Sequence, residues 1–105
     1  MAIKELLKEE LGNSLRMERD YRHVMAKLPR GSLVKKIVRG RPYYYLAYRD
    51  KNRVRFIYKG RKMEEQEIVK YRDAKRFRAQ YRKHLSSLRK QIKFLRKAIR
   101  AKQAV

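Results

Sequence analysis

Residues 63 to 102 contain neither glycine nor proline, so nothing in this run interrupts a helix. Within it Tyr71, Ala74, Tyr81, Leu85, Leu88, Ile92, Leu95 and Ile99 keep heptad spacing, with Arg78 and Lys102 as departures from an apolar seam. Glu64, Glu65 and Glu67 stand at its start and bases crowd its end, as the helix dipole favours. At 1.5 Å per residue such a helix is about 60 Å long. A chain of 105 residues builds only a thin core, too short to cover that seam. An N-terminal helix can cover part of it as an antiparallel mate. A second copy of the chain can cover the rest, so a homodimer through the 71–99 seam is expected.

Residues 2 to 28 also read as helix. Ile3, Leu7, Met17, Tyr21, Val24 and Leu28 share one 4-3 seam, with Leu6, Leu11, Leu15 and Met25 beside it. Gly12-Asn13-Ser14 is the weak point. A break or kink near Gly12 is favoured over an unbroken helix, in which glycine costs about 1 kcal/mol. Pro29 removes a donor and turns Leu28 away from helical geometry, ending the segment. The period then changes. Runs at 32–39, 42–49 and 53–59 are rich in Tyr, Val, Ile and Phe and are punctuated by Gly31, Gly40-Arg41-Pro42, Asp50-Lys51-Asn52 and Gly60. The fold class is therefore α+β in a single domain, 1–105: a helical segment (2–28), a three-stranded antiparallel β-meander (32–60) and a long helix (63–102) with a coiled-coil-like seam.

Side-chain parity gives the second and third strands an expected register. Tyr44, Leu46 and Tyr48 share one face, as do Val54, Phe56 and Tyr58. Bringing these two sets together requires a three-residue Asp50-Lys51-Asn52 loop, with Asn52 left-handed and Arg49 opposite Arg53. The other face then carries Tyr43, Tyr45, Ala47 and Arg49 beside Lys59, Ile57, Arg55 and Arg53. In the first strand Leu33 and Ile37, or Val34 and Val38, could face the core.

That basic, aromatic face gives the charge a place. The chain has 32 Lys and Arg against 10 Asp and Glu, a formal +22. Residues 1–20 are net −1 and residues 64–73 net −2, whereas 21–63 carry +13 with Asp50 as sole acid and 74–105 carry +12 with no acid. Two blocks of this size with almost no compensation call for a polyanion, and nucleic acid is the expected partner, duplex DNA ahead of RNA. Tyr rings can stack on bases while Arg and Lys meet phosphates. Candidate binding residues on the meander and its turns are Lys35, Lys36, Arg39, Arg41, Tyr43, Tyr45, Arg49, Arg53, Arg55, Lys59, Arg61 and Lys62. On the helix, Arg82, Arg89, Lys93, Arg96 or Lys97, and Arg100 form a basic stripe opposite the seam.

Catalytic chemistry finds little footing. His23 and His84 are isolated among bases, the acids cluster at helix starts, and Ser86-Ser87 lie inside a helix with no base and acid partner implied. There is no Cys and no glycine-rich phosphate loop, so no catalytic residue, metal site, cofactor or small-molecule substrate is expected. The opening residues lack the apolar segment of a signal peptide, and no stretch approaches a membrane span. A cytoplasmic protein without membrane attachment is expected.

Leu28-Pro29-Arg30-Gly31-Ser32, Arg39-Gly40-Arg41, Tyr43-Tyr44-Tyr45-Leu46, Tyr48-Arg49, Val54 and Tyr58-Lys59-Gly60 together resemble a family of small, basic, functionally uncharacterised proteins of bacteria, archaea and their mobile elements. The match covers about a third of the chain and implies a Tyr-rich hairpin before a long charged helix. The Gly-Ser start and Tyr- and Arg-rich hairpin also resemble the three-stranded arm-type DNA-binding module of phage integrases. This second resemblance implies a sheet inserted against duplex DNA, with Lys35, Tyr43, Tyr45, Arg53 and Arg55 near it; no integrase catalytic domain accompanies it. The reading that results is a non-catalytic nucleic-acid-binding protein. The alternative is a coiled-coil interaction module, such as a phage or mobile-element regulator or inhibitor, docking on an acidic protein or ribonucleoprotein. A packaging protein without sequence preference is a third possibility.

Overall fold

A computed structural model describes residues 2–103, so Met1, Ala104 and Val105 of the expected domain lie outside the described residues. The elements run α1 (Ile3–Lys27), β1 (Ser32–Val38), β2 (Arg41–Asp50), β3 (Arg53–Gly60) and α2 (Glu65–Gln103). The α+β architecture is as expected, with one antiparallel sheet in the order β1-β2-β3. Two compact units divide the chain. One joins α1 to α2 from Ala79 onward, and the other spans Leu28–Arg78.

In the helical unit the partners run antiparallel. Tyr21 meets the rings of Tyr81 and His84 at 5.4 and 5.6 Å. Met25 lies level with Leu85, and Leu15 with Ile92, each pair lining a shared hollow. The heptad seam of α2 is the core of this unit: Leu85, Leu88, Ile92, Leu95 and Ile99 are all buried. Each buried aliphatic side chain stabilises by about 1.5–3 kcal/mol, which makes this the firmer half of the molecule.

Two expectations for α1 are corrected. The helix is unbroken through Gly12-Asn13-Ser14. Ser14 is buried at 2% exposure, and packing of this face along α2 outweighs the weak helix propensity of Gly12. The seam is also turned from its expected phase. The covered row is Lys4, Leu7, Leu11, Ser14, Glu18, Tyr21 and Met25, leaving Ile3, Leu6, Met17 and Val24 exposed. Three polar residues on the inward row disguise it from any search for apolar spacing.

The first turn of α2 is fastened by the Glu64 carbonyl, which accepts from the amides of Glu67 (3.0 Å) and Ile68 (3.2 Å). Acids in this turn and Arg100 and Lys102 in the last turn complement the dipole. Leu33 of β1 and Ile68 and Tyr71 of α2 line one hollow, with Leu46 and Ala74 buried in the same unit. Arg78, the departure from the apolar seam, is a clamp. Its guanidinium donates to the carbonyls of Pro29 and, at 3.0 Å, Gly31, fixing the segment that leads into β1. Gly31 is required there. Its φ is +93°, and a Cβ would stand 2.7 Å from the Ala47 carbonyl oxygen and 3.0 Å from Leu46 Cδ1.

Of the seam residues from Tyr71 to Ile99, Ala74, Leu85, Leu88, Ile92, Leu95 and Ile99 are buried within the chain itself.

Candidate nucleic-acid interface

Both hairpin turns have two residues, and both residues in each turn have positive φ: Arg39 (52°) and Gly40 (74°), then Lys51 (47°) and Asn52 (70°). Paired left-handed residues make the turn whose twist matches the flanking strands. Asn52 is left-handed as expected, but so is Lys51, and the register shifts by one. Asp50 faces Arg53, Arg49 faces Val54, Tyr48 faces Arg55 and Tyr45 faces Tyr58. This corrects the three-residue loop and the face built on it. The two-residue turn fits the twist of the strands, and the register it sets also separates like charges. Arg49 no longer opposes Arg53, and Asp50 takes the Arg55 guanidinium at 3.1 Å.

Alternation then sorts the side chains. Tyr43, Tyr45, Ala47 and Arg49 share a face with Val34 and Lys36 of β1 and with Val54, Phe56 and Tyr58 of β3. Arg53, Arg55 and Ile57 lie on the other face, with Leu33, Lys35, Leu46, Tyr48 and Asp50. Leu33 rather than Val34 meets α2, while Ile37, of the same parity, is exposed. Near the end of the sheet the register slips between Tyr44 and Tyr45, and Lys59 is the extra residue between their partners Gly60 and Tyr58.

The face away from α2 is open, and its aromatic residues form a cluster. Tyr58 stands 5.4 Å from Tyr45 and 6.3 Å from Tyr43, ring centre to ring centre, in tilted pairs. Phe56 and Tyr58 are each 52% exposed and Val54 is 55% exposed. The Lys36 ammonium sits 5.0 Å from the Tyr45 ring and 4.7 Å from that of Phe56, and the Arg61 guanidinium lies 5.7 Å from Tyr43. At one end Val38, Arg39, Arg41 and Tyr43 line a shallow hollow. Asp50, the sole acid of residues 21–63, is on the other face. The open surface thus holds four rings, exposed cations and no carboxylate. Such a surface can stack planar groups and bind phosphates around them.

Of the expected sheet residues, Lys36, Tyr43, Tyr45 and Arg49 stand on this face, Arg39 and Arg41 border it at the turn, and Arg61 reaches Tyr43. Lys62 lies beyond β3 and is exposed. Lys35, Arg53 and Arg55 are on the opposite face, and Lys59 is in the bulge. The five residues that the integrase resemblance brings to one duplex are consequently divided between two faces. Val54, Phe56 and Tyr58 are what the sequence reading missed. Cross-strand pairing of aromatic residues, together with the repulsion of Arg49 and Arg53, was the signal for them.

The helical stripe belongs to the other unit. Arg82 and Arg89 line a hollow with Arg22, Met25 and Ala26; Arg89, Lys93, Arg96 and Arg100 line another with Leu15 and Glu18. The stripe therefore flanks the seam rather than lying opposite it. Arg22 joins it from α1, and Glu18 places a carboxylate beside it. Among the described residues no group of three His, Asp or Glu side chains could hold a metal ion, and no helix is long and apolar enough to cross a membrane.

The model of a domain of unknown function, DUF6788, matches residues 2–68, which is more than half of the chain and takes in α1, the whole sheet and the first turn of α2. The chain belongs to this family. No curated protein and no solved structure matches it significantly.

Proposed function

We propose that this member of the DUF6788 family is a non-catalytic nucleic-acid-binding protein, with the open sheet face as its principal site and the basic flank of α2 as a source of further phosphate contacts. One observation carries the reading: a contiguous cluster of Tyr43, Tyr45, Phe56 and Tyr58, with Lys36 and Arg61 over its rings and no acid on the face. An amphipathic hairpin with a merely solvated face has no need to expose Phe56 and Val54 among cations. Phosphates neutralise the charge and bases cover the rings. A cytoplasmic setting fits this ligand and a chain without cysteine.

The alternative, docking on an acidic protein or ribonucleoprotein, draws on the cation-rich flank of α2, where rings are not interleaved with the bases. The two readings separate in one experiment. Filter binding at about 50 mM salt should show association well above that of a generic basic peptide and a steep loss with added salt, since each neutralised phosphate releases counterions. Arg41→Glu with Arg49→Glu should weaken it strongly. Association no greater than the peptide's, or indifference to the double substitution, would count against the sheet face and in favour of the flank.

A further inference from the structure

We infer that the open sheet face takes unpaired nucleotides, its rings stacking on exposed bases and its cations tracking the intervening phosphates. This rests on the nucleic-acid reading and specifies the strand state of its ligand. The change of register carries the argument. In the expected register Arg53, Arg55 and Lys59 stood beside Tyr43 and Tyr45, a surface suited to the phosphates of a duplex. The observed register puts Val54, Phe56 and Tyr58 in that place.

The substitution changes what the surface can recognise. A duplex offers phosphates and groove edges, while the flat faces of its bases are already covered by their neighbours. Aromatic rings gain little there unless they wedge the stack open. Unpaired bases have free faces, and every base has one, so stacking needs no sequence match. Phe56 has no polar atom with which to read a groove edge or bind a phosphate, yet it is 52% exposed. The free face of an unpaired base is the largest flat surface a nucleic acid offers such a ring. Tyr45 and Tyr58, 5.4 Å apart, extend the platform, and their hydroxyls add hydrogen bonds to phosphate or sugar.

Charge is arranged to match. The Lys36 ammonium, over both Tyr45 and Phe56, and the Arg61 guanidinium over Tyr43 stand against the rings, within reach of the phosphates that join stacked bases. The Arg39 and Arg41 hollow beside Tyr43 gives the anionic strand a cationic exit. Single-stranded DNA and unpaired RNA share this chemistry.

The test uses the full chain and labelled probes of about 12 nucleotides, within the span bound by single-strand-binding domains. Oligo-dT, oligo-U, an abasic strand of equal charge and a duplex are compared by fluorescence anisotropy at about 0.15 M salt. At least one of the base-bearing single strands should bind tenfold or more tighter than both the abasic strand and the duplex. The better of the two identifies the source. Tyr45→Leu and Phe56→Leu keep an apolar side chain but remove the ring. Each should cost about 5- to 150-fold in that advantage, the worth of one stacked base. Abasic affinity and the circular dichroism spectrum should stay unchanged. A duplex or abasic strand bound as tightly as both base-bearing strands overturns the inference and leaves the nucleic-acid reading standing. Leucine variants that retain the full advantage also overturn it. Failure of all four probes to exceed a generic basic peptide defeats the inference and the underlying reading together.

Discussion

The open sheet face and the basic flank of α2 draw on charge blocks of similar size, +13 over residues 21–63 and +12 over residues 74–105. Their construction differs. On the sheet, cations lie over rings and the neighbouring side chains are half-exposed Phe, Tyr and Val. On the helix, Arg89, Lys93, Arg96 and Arg100 flank a buried aliphatic seam, with Glu18 among them. Net charge alone treats these surfaces as equivalent. On the proposed reading, side-chain chemistry suits one to stacking as well as phosphate contact and the other to phosphate contact alone.

The units that carry these surfaces are held together just as differently. Five buried aliphatic residues of α2 line the core of the helical unit, whereas in the sheet unit Leu46 and Ala74 are the buried apolar residues. Much of the latter's definition comes from the Arg78 clamp and from the close approach of Gly31 to Ala47. The largest expected effect is therefore in the helical unit, where Leu88→Ala should lower stability by about 2–5 kcal/mol, read from chemical denaturation by circular dichroism. Well below its unfolding midpoint, the variant should bind oligonucleotide as the parent does. Gly31→Ala should cost about 2 kcal/mol, because alanine must adopt a positive φ and its methyl meets the Ala47 carbonyl. Unlike Leu88→Ala, it should weaken binding even under folded conditions. Equal effects of the two substitutions on binding would erase the distinction between the units.

A smaller effect sharpens the contrast between surfaces. Arg89→Gln with Arg96→Gln should reduce the salt slope for a single strand by about 1.4, two phosphate contacts at about 0.7 each. The preference for base-bearing over abasic strands should not change. If that preference falls instead, the helix contributes more than phosphate contacts.

Much of this arrangement was legible in the residues. The glycine- and proline-free run, the seam from Tyr71 to Ile99, the three strands and the grouping of Tyr43, Tyr45 and Arg49 all follow from period and punctuation. The phase of β3 did not. Lys51 carries no signature of a left-handed turn residue, so loop length had to be inferred from where apolar side chains fall. That inference assumes a sheet with one greasy face. Here α2 meets Leu33 of β1 while β3 is largely exposed, and aromatic residues populate the uncovered side. The inward row of α1 was obscured for a related reason, because Lys4, Ser14 and Glu18 occupy positions that a search for apolar spacing passes over.

Placement of the ligand on the rings of the sheet can be tested by amide chemical-shift mapping of the isotope-labelled chain titrated with unlabelled oligo-dT or oligo-U. Perturbations should concentrate at Lys36, Tyr43, Tyr45, Phe56 and Tyr58, with changes along Arg82 to Arg100 that are weaker and disappear as salt is raised. Shifts confined to Arg82 through Arg100, with the sheet residues silent, would contradict the account.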